Sequence, residues 1–176
     1  TALQKRTGTS ALSDEEADAL AANLVQEIKL PESTQYKLGD LNISKDNSEE
    51  SFTSYKNALN VILSRFVASQ EENDLTVVTK ALDMGDAKIL EKLTAHITEY
   101  QTLEKNLLSL KTPSLFATPH LHLIQSYADM HAATEGMQKM FSDTIIGLAA
   151  LTAYQGGIAS LNAAADEYRN INPTTQ

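Results

Sequence analysis

The sequence of 176 residues contains no cysteine and no tryptophan, and it is poor in positive charge. Without cysteine the chain can form no disulfide, no thiolate site for zinc or an iron–sulfur cluster, and no cysteine nucleophile. Lysine and arginine together number 14 against 23 acidic residues, which gives a net charge of -9. Because basic side chains supply affinity for phosphate groups, this charge argues against nucleic acid and anionic membrane surfaces as partners.

The sequence also lacks the short motifs of the common enzyme classes. It has no glycine-rich dinucleotide or P-loop motif, no His-Glu-x-x-His zinc motif and no Gly-x-Ser-x-Gly nucleophile motif. No histidine follows a glutamate by three residues, which excludes a helical di-iron carboxylate site. We therefore predict a non-enzymatic protein without a cofactor. An enzyme would require His96 to converge with carboxylates in an open cleft.

Apolar residues recur at helical spacing along most of the chain, and no run alternates as a half-buried strand would. The pattern predicts an all-α fold, an antiparallel bundle of about five to six helices. Capping residues mark the helix ends. A capping box begins at Ser13, another occupies residues 47–50, Gly85 suits a left-handed C-terminal cap with Asp86 capping the next helix, Thr118 precedes a first-turn Pro119, and Asp143 opens the last helix. The predicted helices begin at Ser13 (with apolar repeats to Ile28), Asn47, Leu75, Asp86, Thr118 and Asp143. The third runs to about Met84, the fourth ends before Pro113, and the last runs to about Asn170.

The apolar stripes also predict which face of each helix points into the core. The longest stripe runs through the fourth predicted helix and includes one polar residue, His96, which as a buried side chain would need a partner and would fix helix register. The predicted inward residues are Phe52, Tyr55, Leu59, Ile62 and Phe66; Leu75, Val78 and Leu82; Ile89, Leu93, His96, Tyr100, Leu103, Leu107 and Leu110; His120, Leu123, Tyr127, Met130, Thr134, Met137 and Phe141; and Ile145, Leu148, Leu151, Ile158, Leu161, Ala165 and Tyr168.

The expected organisation is one helical domain over residues 13–170. Residues 1–12 are expected to be a flexible segment that links to a removed N-terminal anchor, and residues 171–176 a C-terminal tail. The stretch from Leu30 to Asn47 is polar and lacks helical period, which predicts an ordered surface loop. The charge-free stretch over residues 144–165 is interrupted by polar residues, so we expect a buried core helix and not a membrane span.

One group of side chains carries ligand chemistry, namely the histidines and methionines between His120 and Met140. Imidazole and thioether groups together suit copper, and the candidate ligands are His120, His131 and Met137. On one helix, however, His120 and His131 would lie about 16 Å apart along the axis, so they cannot share an ion without another helix. Packing of these residues in the core is the favoured interpretation, and ligand binding is the alternative.

Several stretches resemble a group of uncharacterised helical proteins of small-genome candidate-phyla bacteria. They are residues 36–49 (YKLGDLNISKDNSE), 54–59 (SYKNAL), 120–124 (HLHLI) and 147–154 (GLAALTAY). An Asp-Pro is typical of that group where this chain has Asp143 and Thr144. The resemblance implies an exported protein held to a membrane by an N-terminal hydrophobic segment, and it implies no activity.

These observations together predict a non-enzymatic, extracytoplasmic helical scaffold or protein-interaction module that is membrane-tethered in its full-length form. Its expected partners are proteins, with no nucleic acid, and with membrane contact only through the removed anchor. The alternative is an extracytoplasmic protein that binds a metal or small ligand in the region from His120 to Met140.

Overall fold

The computed structural model describes residues 29–171. The predicted helix over residues 13–28, the segment 1–12 and residues 172–176 lie outside the described part of the chain. The α-helices within it are α1 (Glu49–Ser69), α2 (Asp74–Met84), α3 (Leu93–Ser109), α4 (Ala117–Met137) and α5 (Thr144–Asn170). The all-α prediction is confirmed at this level, because the described chain is mostly helical with one minor two-stranded sheet.

The two-stranded sheet was not predicted from the sequence. Strands β1 (Ile43–Ser44) and β2 (Thr112–Pro113) pair in parallel, and the backbone N–H of Thr112 donates to the carbonyl of Asn42 at 2.9 Å. Two residues are too few to show the alternation that marks a strand in a sequence. The pairing fastens the loop before α1 to the connection after α3.

Most predicted caps are present, but two lie elsewhere. The hydroxyl of Ser48 caps α1 by accepting from the N–H of Ser51, so the capping box predicted over residues 47–50 does not form. Helix α4 begins at Ala117, directly after a 3-10 turn over Ser114–Phe116, and not at a Thr118 cap. Pro119 is tolerated there because N–H groups in the first turn have no partner within the helix.

Helix α2 ends at a glycine that takes a left-handed conformation. Gly85 has a φ of 63°, which suits the C-terminal cap of a helix. The side chain of Asp86 then accepts from the N–H of Lys88, as predicted, but it opens a 3-10 turn over Ala87–Lys92 that leads into α3. The turn replaces the first part of the predicted fourth helix.

The predicted inward stripes of α1 and α3 face the core, and that of α4 does so except at Phe141, whereas those of α2 and α5 are partly wrong. Leu82 is 47% exposed, and α2 instead buries Asp74, Val77, Val78 and Ala81. In α5, Ile145 and Leu148 are 57% and 52% exposed, and Phe141 before it is 42% exposed. The buried residues of α5 are Gly147, Ala150, Tyr154, Gly157 and Ala164.

Close packing of α4 against α5 explains why α5 buries a different face from the one predicted. A Cβ atom added to Gly136 would lie 2.6 Å from the Cβ of Ala150, so only small residues fit between the two backbones. The larger side chains of α5 therefore lie on its other faces. Helix α5 is long and apolar enough to cross a membrane by length and composition alone. Of its apolar 18-residue window 22% is buried, so the helix is less buried than the core helix expected over residues 144–165.

Candidate functional site

Asp74 is the centre of a buried polar cluster that connects four helices. Its Oδ1 accepts a hydrogen bond from Nδ1 of His96 at 2.5 Å, and its Oδ2 accepts from the hydroxyl of Tyr100 at 2.8 Å. The hydroxyl of Thr134 lies 3.3 Å from the same Oδ2. The hydroxyl of Tyr154 lies 3.3 Å from the hydroxyl of Tyr100. Asp74 has no exposed surface, so His96 and Tyr100 replace the water that the carboxylate loses on folding.

Local sequence places these groups by simple helix geometry. Asp74 is the first residue of α2, and the helix N-terminus stabilises its negative charge. His96 and Tyr100 are four residues apart in α3, so they lie on one face and reach the same carboxylate. Burial, together with the charge of Asp74, raises the pKa of Tyr100. The tyrosine therefore stays protonated and can donate.

A cavity of about 310 Å³ borders this cluster on the side of His96. The residues that line it are Ser69, Glu71, Glu72, Val77, Lys92, Ala95 and His96. Oε1 of Glu72 accepts from Nζ of Lys80 at 2.6 Å, and Nζ of Lys92 lies 3.9 Å from the same oxygen. Oε2 of Glu72 is buried and has no hydrogen-bond partner among the described residues.

The pair of Asp74 and His96 has the arrangement that proteins use to orient a reactive imidazole. A carboxylate that accepts from Nδ1 leaves the lone pair on Nε2, where it can accept a proton or coordinate a metal. Nε2 of His96 makes no hydrogen bond to any residue in the range 29–171. The only hydroxyl among the cavity-lining side chains, that of Ser69, donates to the carbonyl of Phe66 at 2.8 Å and is not held toward His96.

The structure places His120 in a different polar cluster. Its Nε2 donates to the carbonyl of Leu107 at 2.9 Å, which leaves Nδ1 to accept from the hydroxyl of Tyr55, also at 2.9 Å. The hydroxyl of Tyr168 lies 2.6 Å from that of Tyr55 and completes the group. Burial lowers the pKa of His120, so this histidine is held neutral with both nitrogens engaged.

His131 belongs to a third cluster, and Met137 belongs to none. Nδ1 of His131 donates to Oε1 of Glu104 at 2.8 Å, and the hydroxyl of Tyr36 donates to Oε2 of the same glutamate at 2.7 Å. Met137 is fully buried in the apolar core. The structure therefore does not bring the three predicted candidates together. Within residues 29–171, no group of three or more His, Asp or Glu side chains is placed to hold a metal ion.

The cluster of Glu104 also fastens the loop before α1 to the helices. Burial and the contact with Glu104 raise the pKa of Tyr36 to about 12. The N–H of Tyr36 donates to Oε1 of Gln125 at 3.1 Å, and the hydroxyl of Ser33 donates to Oδ1 of Asp129 at 2.5 Å. The loop lies on the surface, as expected from the sequence, and two of its apolar side chains, Leu38 and Ile43, are exposed.

Replacing His131 with glutamine should remove a pH-dependent part of the stability. Glu104 raises the pKa of His131 above its ordinary value through the hydrogen bond to Nδ1, and burial opposes this. A raised histidine pKa stabilises the fold fully below the unfolded pKa of about 6.5 and loses this effect as pH rises through the folded pKa. His131→Gln should therefore lower the free energy of unfolding more at about pH 5.5 than at about pH 8.5.

Urea denaturation at the two pH values measures this difference. His122→Gln is the matched control, because His122 pairs with Glu167 at 2.8 Å on the exposed surface. Its free energy of unfolding should stay within about 0.5 kcal/mol of that of the parent protein. An equal loss at both pH values for His131→Gln would contradict the role of Glu104.

Sequence reasoning missed the two buried carboxylates that organise these clusters. Asp74 stands in an acidic stretch near the start of a predicted helix, where acidic residues are common. Glu104 is followed by a lysine and lies outside the apolar stripe of its helix, a position typical of the solvent-exposed face. The one signal was His96 itself, because a histidine on an apolar stripe needs a buried partner. The sequence does not say which acid supplies it, since Asp74 is 22 residues away.

No family model, curated protein or solved structure matches the chain.

Proposed function

We propose that this protein is a non-enzymatic, extracytoplasmic helical scaffold that binds protein partners and is tethered to a membrane in its full-length form. In this proposal the scaffold is an antiparallel bundle of about five to six helices, with the predicted helix over residues 13–28 as its first. The resemblance to exported helical proteins supports the setting. One structural observation, a patch of exposed apolar side chains, supports the binding role.

The apolar patch consists of Phe141, Ile145 and Leu148 at the start of α5. The two α5 residues are three apart and therefore neighbours on one helix face, and Phe141 lies in the turn just before the helix. Each of the three side chains is between 42% and 57% exposed. Exposed apolar side chains that are neighbours on a surface, as Ile145 and Leu148 are, mark interaction sites more often than scattered single residues do.

Site-specific crosslinking in the cells of origin tests the binding role. A photo-crosslinking residue at position 148 should yield an adduct with a protein partner, whereas the same residue at Val61 should not. Val61 is a fair control because it is 48% exposed on α1 and lies outside the apolar patch. Equal labelling at both positions, or none at position 148, would contradict the proposal.

The tethered setting has a separate test. The gene upstream of the present first residue should encode a hydrophobic segment, and the full-length protein should sediment with membranes until detergent releases it. A full-length protein that stays in the supernatant of broken cells would rule out tethering without affecting the crosslinking result.

The alternative proposal is binding of a metal or small ligand in the region from His120 to Met140. The observation that favours it is the second nitrogen of His131. This Nε2 is buried without a hydrogen-bond partner among the described residues and lies 3.6 Å from Oε1 of Glu135. Titration with copper(I) and zinc tests it: no binding below about 10 µM would exclude a site of useful affinity.

A further inference from the structure

We propose that residues 13–28 pack, within the same chain, on an apolar row of α5 formed by Ile145, Ala149 and Ala153. The members of this α5 row follow one another at intervals of four, so they are neighbours along one side of the helix. The inference rests on the proposed function, because it names the surface on which the first helix of the bundle packs. Its test uses the purified chain alone, so it and the partner-binding role can fail separately.

The path of the chain before α1 leads toward the α5 row. The hydroxyl of Ser33 donates to Oδ1 of Asp129 in α4 at 2.5 Å. Two residues earlier, Pro31 lies beside Gly136, where an added Cβ would be 3.4 Å from the proline Cδ. Followed backwards, the chain therefore moves along α4 toward its C-terminal end, which is the end at which α5 begins. Residues 13–28 continue from there.

The described part of the chain begins beside one end of the α5 row. Leu30 and Ala153 line the same cavity, which has a volume of about 280 Å³. Only Lys29 separates Leu30 from Ile28, the last apolar residue of the segment. A tether this short holds the segment near α5 at a high effective concentration, so a contact of modest area is enough to dock it.

The segment and the α5 row carry apolar residues at the same spacing. Leu20, Leu24 and Ile28 follow one another at intervals of four, as the members of the row do. In the proposed register Ile28 lies beside Ala153. The common spacing then brings Leu24 opposite Ala149. Large side chains opposite small ones allow the rows of two helices to interdigitate, because rows of residues four apart form the ridges and grooves of a helix surface.

The contact covers exposed apolar surface and leaves the partner site open. Ile145 at the far end of the row is 57% exposed, and residues 144–165 include no charged side chain that would oppose an apolar contact. Leu148 lies on the opposite side of Ile145 from Ala149, because residues three and four positions along a helix fall on either side of the first when a turn has 3.6 residues. The segment therefore does not cover Leu148.

Engineered cysteine pairs test the contact, since the chain has no cysteine of its own to interfere. Leu24→Cys combined with Ala149→Cys should form a disulfide within the chain under mild oxidation, because this bond needs Cα atoms no more than about 7 Å apart. Asn23→Cys combined with Ala149→Cys is the matched control and should stay reduced. Asn23 has the same tether but lies about 100° around the predicted helix from Leu24. Non-reducing gel electrophoresis separates the reduced chain, the internally linked chain and a linked dimer.

A linked dimer would overturn the proposal, because the α5 row would then hold a second copy of the chain. Equal linkage of both pairs, or linkage of neither, would overturn it as well. In a second measurement Leu24→Asp should lower the urea midpoint of unfolding, since a charge placed in an apolar contact loses its water, and Asn23→Asp should leave the midpoint unchanged. An unchanged midpoint for Leu24→Asp would contradict docking of the segment. None of these results depends on whether position 148 crosslinks to a partner.

Discussion

Replacing Asp74 with alanine is expected to lower the free energy of unfolding by about 3–5 kcal/mol. The carboxylate is fully buried and accepts from His96 and Tyr100, with Thr134 at 3.3 Å. Removing it leaves Nδ1–H of His96 and the hydroxyl of Tyr100 without this acceptor, whereas the hydroxyl of Thr134 keeps the carbonyl of Met130 at 2.9 Å. Removing one member of a buried charged cluster is among the most costly single substitutions. The groups that remain are still buried away from water, but the hydrogen bonds that offset this cost are lost.

Urea denaturation followed by circular dichroism measures this loss, and two further variants define its cause. Asp83→Ala removes an exposed carboxylate from the same helix and should change stability by no more than about 0.5 kcal/mol. Asp74→Asn keeps the volume and one acceptor oxygen, so its cost should be smaller, about 1–3 kcal/mol. If Asp74→Ala costs no more than Asp83→Ala, the cluster does not stabilise the fold.

The second large effect is expected at Gly136, which packs directly against Ala150 between α4 and α5. Gly136→Ala should lower the free energy of unfolding by about 1–3 kcal/mol, because the added Cβ would lie 2.6 Å from the Cβ of Ala150. Neither Cβ atom can rotate away, since each is attached directly to its helix backbone. The two helices must separate, and the contacts along their small-residue faces weaken together.

Gly156 provides the matched control for this substitution. It also lies within a helix, but a Cβ added there would meet nothing within 4 Å. Gly156→Ala should therefore raise the free energy of unfolding by about 0.5–1 kcal/mol through the lower backbone entropy of alanine in the unfolded chain. Thermal or urea denaturation of the two variants should show shifts of opposite sign. Shifts in the same direction would contradict the steric explanation.

The periodic pattern of the sequence predicts the helices well because helix formation is largely a local property. The cap at Asp143, the left-handed Gly85 and the stripe from Leu93 to Leu107 are all confirmed. Each depends on residues within one or two turns, which a sequence displays directly. The errors at the starts of α1 and α4 are shifts of one and two residues. Ser48 caps α1 in place of Asn47, and Phe116 precedes α4 in place of Thr118 because a 3-10 turn leads directly into that helix.

The face of α5 and the polar clusters were not predictable in the same way. A stripe of large apolar residues ordinarily marks the inward face, yet Ile145 and Leu148 are exposed because glycine and alanine allow α4 to approach the opposite side more closely. Likewise, Asp74 and His96 meet only when α2 and α3 pack together. Helical period states which residues share a face, but it does not state which neighbouring helix occupies that face.

Composition alone excludes thiolate chemistry, because the chain has no cysteine. The scarcity of basic residues likewise argues against nucleic-acid partners, since any fold needs lysine and arginine to bind phosphate groups. The sequence by itself also determined the helical class and most helix ends. Tertiary structure alone decided which buried acid pairs with each buried histidine and which apolar residues stay exposed. The physical reason is that hydrogen bonds between helices and the closeness of helix packing depend on distances between residues that are far apart in the chain.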